Sequence, residues 1–230
     1  MTERSSIFDM IGPVMIGPSS SHTAGVVRIG RVARRILGAK PETVLVTFYN
    51  SFATTFEGHG SDRAVLAGLL DYATDDPKIK EALQIAIEQN INFTFKPVIS
   101  QAMPHPNTVR IKASTNQKEV EIIGISRGGG LISIIEVNHF SCNFTAQLHT
   151  LIIFADDIKG SIAFITDIIA HDDCNIATMT VTRKAKNNLA SLILEMDSGL
   201  KHTTIAYLKN LSWVKEVIYF PDIDTPYNPV

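Results

Sequence analysis

The order of secondary structure in the last third of the chain is the feature that most restricts its fold. Apolar alternation and helical spacing give strand 148–154, helix 160–170, strands 175–183 and 189–195, helix 201–211 and strand 214–220. Segments in this βαββαβ order form a ferredoxin-like module of about seventy residues. We therefore predict such a module at residues 147–221, followed by an irregular tail at 222–230.

Residues 1–145 have a different pattern, which predicts a separate domain. Helical spacing indicates helices at 26–36, 64–70 and 79–89, and alternation indicates strands at 44–49, 93–95, 109–113, 120–122 and 131–137. A short turn at 115–118 joins two of these strands into a hairpin, so we expect mostly antiparallel pairing. The fold class predicted for the whole chain is α+β, with an N-terminal mixed α/β domain before the ferredoxin-like one.

Composition excludes several classes of function. The net charge is −2 over 230 residues, so the basic surface typical of nucleic-acid-binding proteins is missing. No apolar run approaches the ~20 residues of a membrane-spanning helix, and residues 7–10 lack the core of a signal peptide. Two isolated cysteines, Cys142 and Cys174, suggest a reducing compartment. We expect a cytoplasmic protein that binds neither nucleic acid nor membrane.

A first polar motif, Gly17–Gly25, lies immediately ahead of the predicted helix at 26–36. It contains Ser19, Ser20, Ser21, His22 and Thr23 in succession. A helix N-terminus offers unpaired N–H donors and partial positive charge, so hydroxyl groups there would suit a carboxylate or phosphate. The alternative is an ordinary serine N-cap beside a polar cluster.

Two further motifs place a histidine in a loop before a regular element. The second motif, Gly58–Arg63, has His59 between two glycines, followed by Ser61 as a candidate helix cap and Asp62 in the first turn. The third motif, Met103–Thr108, sets His105 between two prolines and ahead of Asn107. Each alone is consistent with an exposed loop histidine or a structural turn. Together they resemble catalytic groups carried on loops of a rigid scaffold.

The three motifs, in this order, resemble the beta portion of iron–sulfur-dependent L-serine dehydratases. The resemblance covers nearly the whole chain; family members commonly carry threonine where this chain has Ser61. It implies a serine dehydratase beta domain, similar to the anion-binding domain of some phosphoglycerate dehydrogenases, and a C-terminal ACT domain. It also implies a partner alpha chain whose cysteines hold a four-iron four-sulfur (4Fe-4S) cluster, and L-serine as substrate. ACT domains commonly associate in pairs, which implies homo-association.

The resemblance also implies roles for individual residues. An iron of the cluster would act as Lewis acid on the serine hydroxyl, and a histidine would take the α-proton. His59 is our first choice as base, with His22 and His105 as alternatives. The expected substrate-binding residues are Ser19, Ser20, Ser21, Thr23, Asp62 and Asn107. A candidate ligand loop in the ACT domain contains Asp156, Asp157 and Gly160.

The cysteine count predicts where the cluster is held. A four-iron cluster normally needs three or four thiolates, and this chain has only Cys142 and Cys174. We therefore expect no metal site in this chain and no activity without the alpha chain. Two other classes remain open: a regulatory protein that binds an amino acid or anion, and a pyridoxal-phosphate lyase. The lyase is disfavoured because no lysine lies in or beside the three motifs.

Overall fold

The protein consists of two compact units, Met1–His139 and Phe140–Val230. The computed structural model describes residues 12–185 and 188–226. The segment at 7–10, considered above as a signal peptide, and the last four residues of the tail lie outside these ranges. The predicted boundary near residue 145 lies just after a short strand, Phe140–Phe144. This strand belongs to the second unit, which begins at Phe140.

The first unit contains a mixed sheet. Its strands are β1 (Thr43–Tyr49), β2 (Asn92–Val98), β3 (Thr108–Ser114), β4 (Glu119–Gly128) and β5 (Leu131–Val137). They are ordered β2-β1-β3-β4-β5; β1 and β2 are parallel, and the other neighbours are antiparallel. The prediction of mostly antiparallel pairing is confirmed. Buried alternate residues on β3, such as Val109 and Ile111, face the core as the period of two requires.

The helices of the first unit carry two of the three motifs. In order they are a π-helical turn (Ser20–Ala24), α1 (Gly25–Leu37), α2 (Ser51–Thr55), α3 (Ser61–Leu69), a 3₁₀ helix (Pro77–Glu81) and α4 (Ala82–Glu88). The predicted helix at 26–36 is confirmed, and Gly38 ends it in the left-handed conformation at φ 78°. The helix predicted at 79–89 begins as a 3₁₀ turn, with Pro77 in its first positions and the Asp76 carboxylate as cap.

Two glycines let α1 and α3 approach closely. A Cβ on Gly30 would lie 2.6 Å from the Val65 carbonyl oxygen, and one on Gly68 would lie 2.1 Å from the Val27 carbonyl oxygen. Helix α1 also packs on the sheet, where Gly124 of β4 leaves room for the side chain of Ile29. The close contact joins the N-terminal half of α1 to the C-terminal half of α3.

After a first short strand, the second unit has the predicted βαββαβ order. Its elements are β6 (Phe140–Phe144), β7 (His149–Asp156), α5 (Ser161–His171), β8 (Ile176–Arg183), β9 (Leu189–Met196), α6 (His202–Lys209) and β10 (Val214–Phe220). Strands β7 to β10 form an antiparallel sheet in the order β10-β7-β9-β8. Its core joins Ile165 and Ile169 of α5 to Leu151 and Leu194 of the sheet. The α+β fold class and the ferredoxin-like order are confirmed.

Among the described residues, no helix combines the length and the apolar character that crossing a bilayer would require.

Candidate active site

The first motif precedes α1, as predicted, but its second half is itself helical. Ser20–Ala24 forms a π turn that continues into α1, and Ser19 caps it by accepting the His22 backbone N–H at 3.1 Å. The Thr23 N–H is bonded to the Ser19 carbonyl, and the Gly25 N–H to the Ser20 carbonyl. These bonds use the N–H groups of His22, Thr23 and Gly25, so fewer backbone donors are left for an anion and the hydroxyl groups gain importance. The serine-cap alternative is therefore confirmed for Ser19.

Two hydroxyl groups tie the first motif to the second. Ser61 is fully buried and donates to the His22 carbonyl at 2.7 Å, while Thr23 donates to the His59 carbonyl at 3.1 Å. The prediction that Ser61 caps α3 is wrong: Gly60 is the N-cap, at φ 68°, and no side chain bonds there. Ser61 is the first residue inside α3, one position past the cap, and its hydroxyl donates to the His22 carbonyl.

Asp62 lies in the first turn of α3, as predicted. Its carboxylate accepts the backbone N–H of Arg63 at 2.8 Å. Burial raises the pKa of Asp62, although the Arg63 backbone and charge oppose the rise. Functional sites often contain a buried carboxyl group whose pKa is raised by desolvation.

The rings of His22 and His59 lie side by side. Their centroids are 4.7 Å apart, and the His22 ring also meets the edge of Phe52 at 4.8 Å. His22 Nδ1 is 3.0 Å from the Ser21 hydroxyl, whereas its buried Nε2 has no hydrogen-bond partner among the described residues. Burial lowers the pKa of His22, and the nearby His59 lowers it further. His22 is therefore held in the neutral form.

Hydrogen bonding fixes which nitrogen of His59 can take a proton. His59 Nδ1 lies 3.2 Å from the carbonyl oxygen of Thr55. A carbonyl can only accept, so Nδ1 carries the hydrogen and Nε2 of the neutral ring has the lone pair. The arrangement matches a general base whose other nitrogen is oriented by a backbone carbonyl.

His105 has the opposite tautomer. Its Nδ1 accepts the Asn107 backbone N–H at 3.0 Å, so the neutral ring carries its hydrogen on Nε2. Burial lowers the pKa of His105. In the described part of the chain, no hydrogen bond or ring contact joins its side chain to His22 or His59.

The third motif is nevertheless attached to the other two through the backbone. The Pro106 carbonyl accepts the N–H of Ser51, the neighbour of Phe52, at 3.1 Å. The Asn107 carbonyl accepts the N–H of Ser126 at 3.0 Å. The Ser126 hydroxyl is fully buried without a hydrogen-bond partner, and it would lie 2.2 Å from a Cβ on Gly25. The structure thus brings the first two motifs into side-chain contact, whereas the third is linked only to residues that neighbour them.

A cleft of about 390 Å³ opens beside His59. Three charged residues, Glu57, Arg63 and Lys80, share its wall with Thr23 and His59. Sequence reasoning assigned no role to these three. Arg63 was within reach of such reasoning, since it stands one helical turn after His59; Lys80 reaches the cleft only through tertiary folding.

The candidate ligand loop of the second unit is already paired. Asp156 bonds Lys215 at 2.6 Å and Asp157 bonds Arg183 at 3.2 Å. Gly160 is the left-handed N-cap of α5, at φ 87°. A ligand in this loop would compete with both ion pairs, and its presence stays a prediction.

Metal-binding side chains are sparse. Cys142 and Cys174 lie in the second unit and neither is in a disulfide; the Cys174 thiol donates to the Ser198 carbonyl at 3.1 Å. In the described ranges, Glu121, Glu136 and His139 bring ligand atoms within 4.8 Å of one another. The guanidinium of Arg110 lies 3.5 Å from Glu121 and already offsets part of this charge.

Comparisons with known proteins agree with the motifs. The family model described as serine dehydratase beta chain matches residues 6–136. The probable L-serine dehydratase beta chain of Bacillus subtilis is 43% identical over 94% of this chain and 98% of its own length. The L-serine dehydratase beta chain of Peptoniphilus asaccharolyticus is 34% identical over 85% of this chain and 88% of its own.

Two weaker similarities accompany these. D-3-phosphoglycerate dehydrogenase of Bacillus subtilis is 25% identical over 86% of this chain and 37% of its own length. The ACT domain of GTP pyrophosphokinase from Chlorobium tepidum matches 31% of this chain and 95% of its own, at 23% identity and a TM-score of 0.26. The assignment depends on the family model and the two beta chains. On these grounds, the chain belongs to the serine dehydratase beta chain family.

Proposed function

We propose that this chain is the beta subunit of an L-serine dehydratase, a lyase that converts L-serine to pyruvate and ammonia. The reaction eliminates water to give aminoacrylate, which tautomerises to an imine and hydrolyses. Family membership supports the reaction, and the pairing of His22 with His59 beside a cleft is the observation that carries the site assignment.

His59 is the base in this proposal. The Thr55 carbonyl keeps hydrogen on Nδ1, so Nε2 takes the α-proton, and the same carbonyl stabilises the imidazolium that forms. His22, held neutral by burial, does not add a positive charge that would oppose protonation of its neighbour. His105, whose Nε2 carries a hydrogen, serves as a donor to substrate rather than as base.

The hydroxyl groups of the first motif divide between structure and substrate. Ser19 and Thr23 are used in the protein, as cap and as tie to the His59 carbonyl. Ser20 makes no side-chain hydrogen bond within the described residues, which supports a role in binding substrate. Ser21, Asp62 and Asn107 remain candidates for the same role.

We place the 4Fe-4S cluster in a partner alpha subunit. The two thiols of this chain do not fit the group, because a cluster needs more thiolates. When bound in the partner, the cluster would supply Lewis-acid activation of the leaving hydroxyl. The proposal requires that the two chains together build one site.

Co-expression tests this division directly. The chain should be produced anaerobically with a cysteine-bearing alpha chain and assayed for pyruvate from L-serine. Turnover is expected from the complex alone, and this chain after iron–sulfide reconstitution should show neither a stoichiometric cluster nor activity. A complex without turnover would refute the enzyme assignment, and an active, cluster-bearing single chain would refute the division of roles.

The second unit is, in this proposal, an ACT-type module through which the cytoplasmic enzyme self-associates. β8 is the terminal strand of its sheet, and Met179 and Val181 on it are exposed. Light scattering of the intact chain should therefore show a dimer that Val181→Lys converts to monomer. A chain that is monomeric at all concentrations would refute self-association without affecting the assignment of the reaction.

A further inference from the structure

The cleft beside His59 is lined by charged side chains that form no ion pair with the described residues. Glu57, Arg63 and Lys80 are exposed residues on its wall, and none of the three makes an ion pair within the described residues. Elsewhere in the same unit, cations near a helix face are paired: Arg31 and Arg35 both bond Asp71, at 3.2 and 3.1 Å. The cleft therefore presents two cations and one anion to solvent.

The turn that carries His59 also carries two of these charges. Glu57 precedes His59 by two residues, and Arg63 follows it by four, in the first turn of α3. Gly58 and Gly60 flank the histidine, and a Cβ on Gly60 would meet nothing within 4 Å. No side chain from either neighbour thus stands between the imidazole and a small molecule in the cleft.

We propose that this cleft recognises the two charged ends of an α-amino acid, with the carboxylate at Arg63 and Lys80 and the ammonium at Glu57. The inference rests on the proposed function and adds its specificity-determining residues. A substrate anchored at both ends presents its α-hydrogen to His59 Nε2. The two cations also stabilise the negative charge that spreads onto the carboxylate as the α-proton leaves.

The test uses the assembled alpha–beta enzyme and three small probes. L-Serine has both charged ends, 3-hydroxypropionate lacks the ammonium, and ethanolamine lacks the carboxylate. Direct binding by calorimetry and inhibition of L-serine turnover are measured for wild type, Arg63→Gln, Arg63→Lys, Lys80→Gln and Glu57→Gln. Lys78→Gln is the matched control, because Lys78 lies on the same 3₁₀ turn but stacks over Tyr72, away from the cleft lining.

Variants of the two cations and of the anion should weaken different probes. Arg63→Gln should raise KM for L-serine by about 10- to 100-fold, as expected for loss of a charge-assisted hydrogen bond, with partial recovery in Arg63→Lys. It should weaken 3-hydroxypropionate equally and leave ethanolamine unchanged, whereas Glu57→Gln should show the reverse. Lys80→Gln should behave like Arg63→Gln with a smaller change, and Lys78→Gln like wild type.

The outcomes separate this inference from the proposed function. If wild type turns over L-serine and Arg63→Gln, fully assembled, keeps its KM and probe affinities, the cleft inference is overturned alone. If wild type binds L-serine through these residues without turning it over, the cleft inference stands and the lyase assignment fails. A wild-type complex that neither binds nor converts L-serine overturns both.

Discussion

The two units of the molecule each contain a turn with the same backbone device. Gly60 before α3 and Gly160 before α5 are both left-handed N-caps, at φ 68° and 87°, and a Cβ on either would meet nothing within 4 Å. The turns differ in their side chains. Around Gly160 the acids are bonded to Lys215 and Arg183, whereas around Gly60 the charged groups face an open cleft without ion pairs in the described structure.

The comparison teaches that backbone shape alone does not mark a functional turn. A left-handed glycine cap is a common way to begin a helix where the chain must bend sharply. What distinguishes the first turn is polar capacity left unused: the lone pair on His59 Nε2, the buried Nε2 of His22 and the unpaired charges of the cleft. A buried polar atom without a partner in the described residues, such as His22 Nε2, and exposed charges that form no ion pair there are both available to a ligand.

The largest expected difference between the turns is catalytic. In the assembled enzyme, His59→Ala should lower kcat by about 10²- to 10⁴-fold with little change in KM, because a general base acts in the transition state. The control is His171→Ala in the second unit, an exposed histidine near Asp167, which should retain turnover. Alpha–beta association is measured beside single-turnover elimination. Near-normal turnover in fully assembled His59→Ala would pass the role of base to His22 or His105.

Local sequence signals accounted for much of the fold. The amphipathic spacing of α1 and the stop at Gly38 were predictable, since helical periodicity and a left-handed terminator act within a few residues. The βαββαβ order was predictable for the same reason. Alternative bases at His22, His59 and His105 imply one shared site, and among the described residues the structure brings the rings of His22 and His59 together but not that of His105.

Interactions between distant segments account for what the sequence did not predict. Ser61 lies one residue inside the helix rather than at its cap, and its hydroxyl donates to the His22 carbonyl, 39 positions away. Phe52 and Ser126 occupy ordinary apolar or strand patterns, and only tertiary packing brings them against His22 and Gly25. The π turn had no signal either, because its residues also suit a capped loop.

The matched glycines provide the next test. Gly60→Ala and Gly160→Ala should each cost about 1–2 kcal/mol of unfolding free energy, since both place a Cβ at positive φ in open space. Gly60→Ala should in addition lower kcat by about 10-fold or more, because a small shift of His59 misaligns the base. Gly160→Ala should leave kcat unchanged. Equal loss of turnover in both would show that the second turn also supports catalysis, and so break the comparison.

Acid sensitivity should distinguish the same two regions. The pKa of His22 lies below the ordinary value of 6.5, so the unfolded chain takes up its proton at higher pH than the folded one. Its contribution to stability is complete above about pH 6.5 and is lost as the pH falls from there toward the folded pKa. His22→Phe should therefore lose less stability between pH 7.5 and 5.5 than wild type, when urea denaturation is followed by circular dichroism at each pH. The exposed His171→Ala should keep the wild-type slope, and identical slopes for wild type and His22→Phe would contradict the effect of burial.

The smallest expected effects are at the paired acids of the second turn. Asp156→Asn and Asp157→Asn each remove one exposed ion pair, and such pairs contribute at most about 1 kcal/mol. Because Lys215 and Arg183 are left in water rather than buried, no desolvated charge is created, and thermal unfolding should shift only slightly. Glu57→Gln, which breaks no ion pair in the described structure, should change stability still less and yet impair L-serine binding. Together, the two results would show that the number of contacts an acid makes beside a glycine cap does not predict its importance for ligand binding. If Asp157→Asn instead weakened binding of L-serine by the intact complex, the second turn would hold a ligand that displaces Arg183. In that case, the ion pair between Asp157 and Arg183 would occupy the ligand site when no ligand is bound.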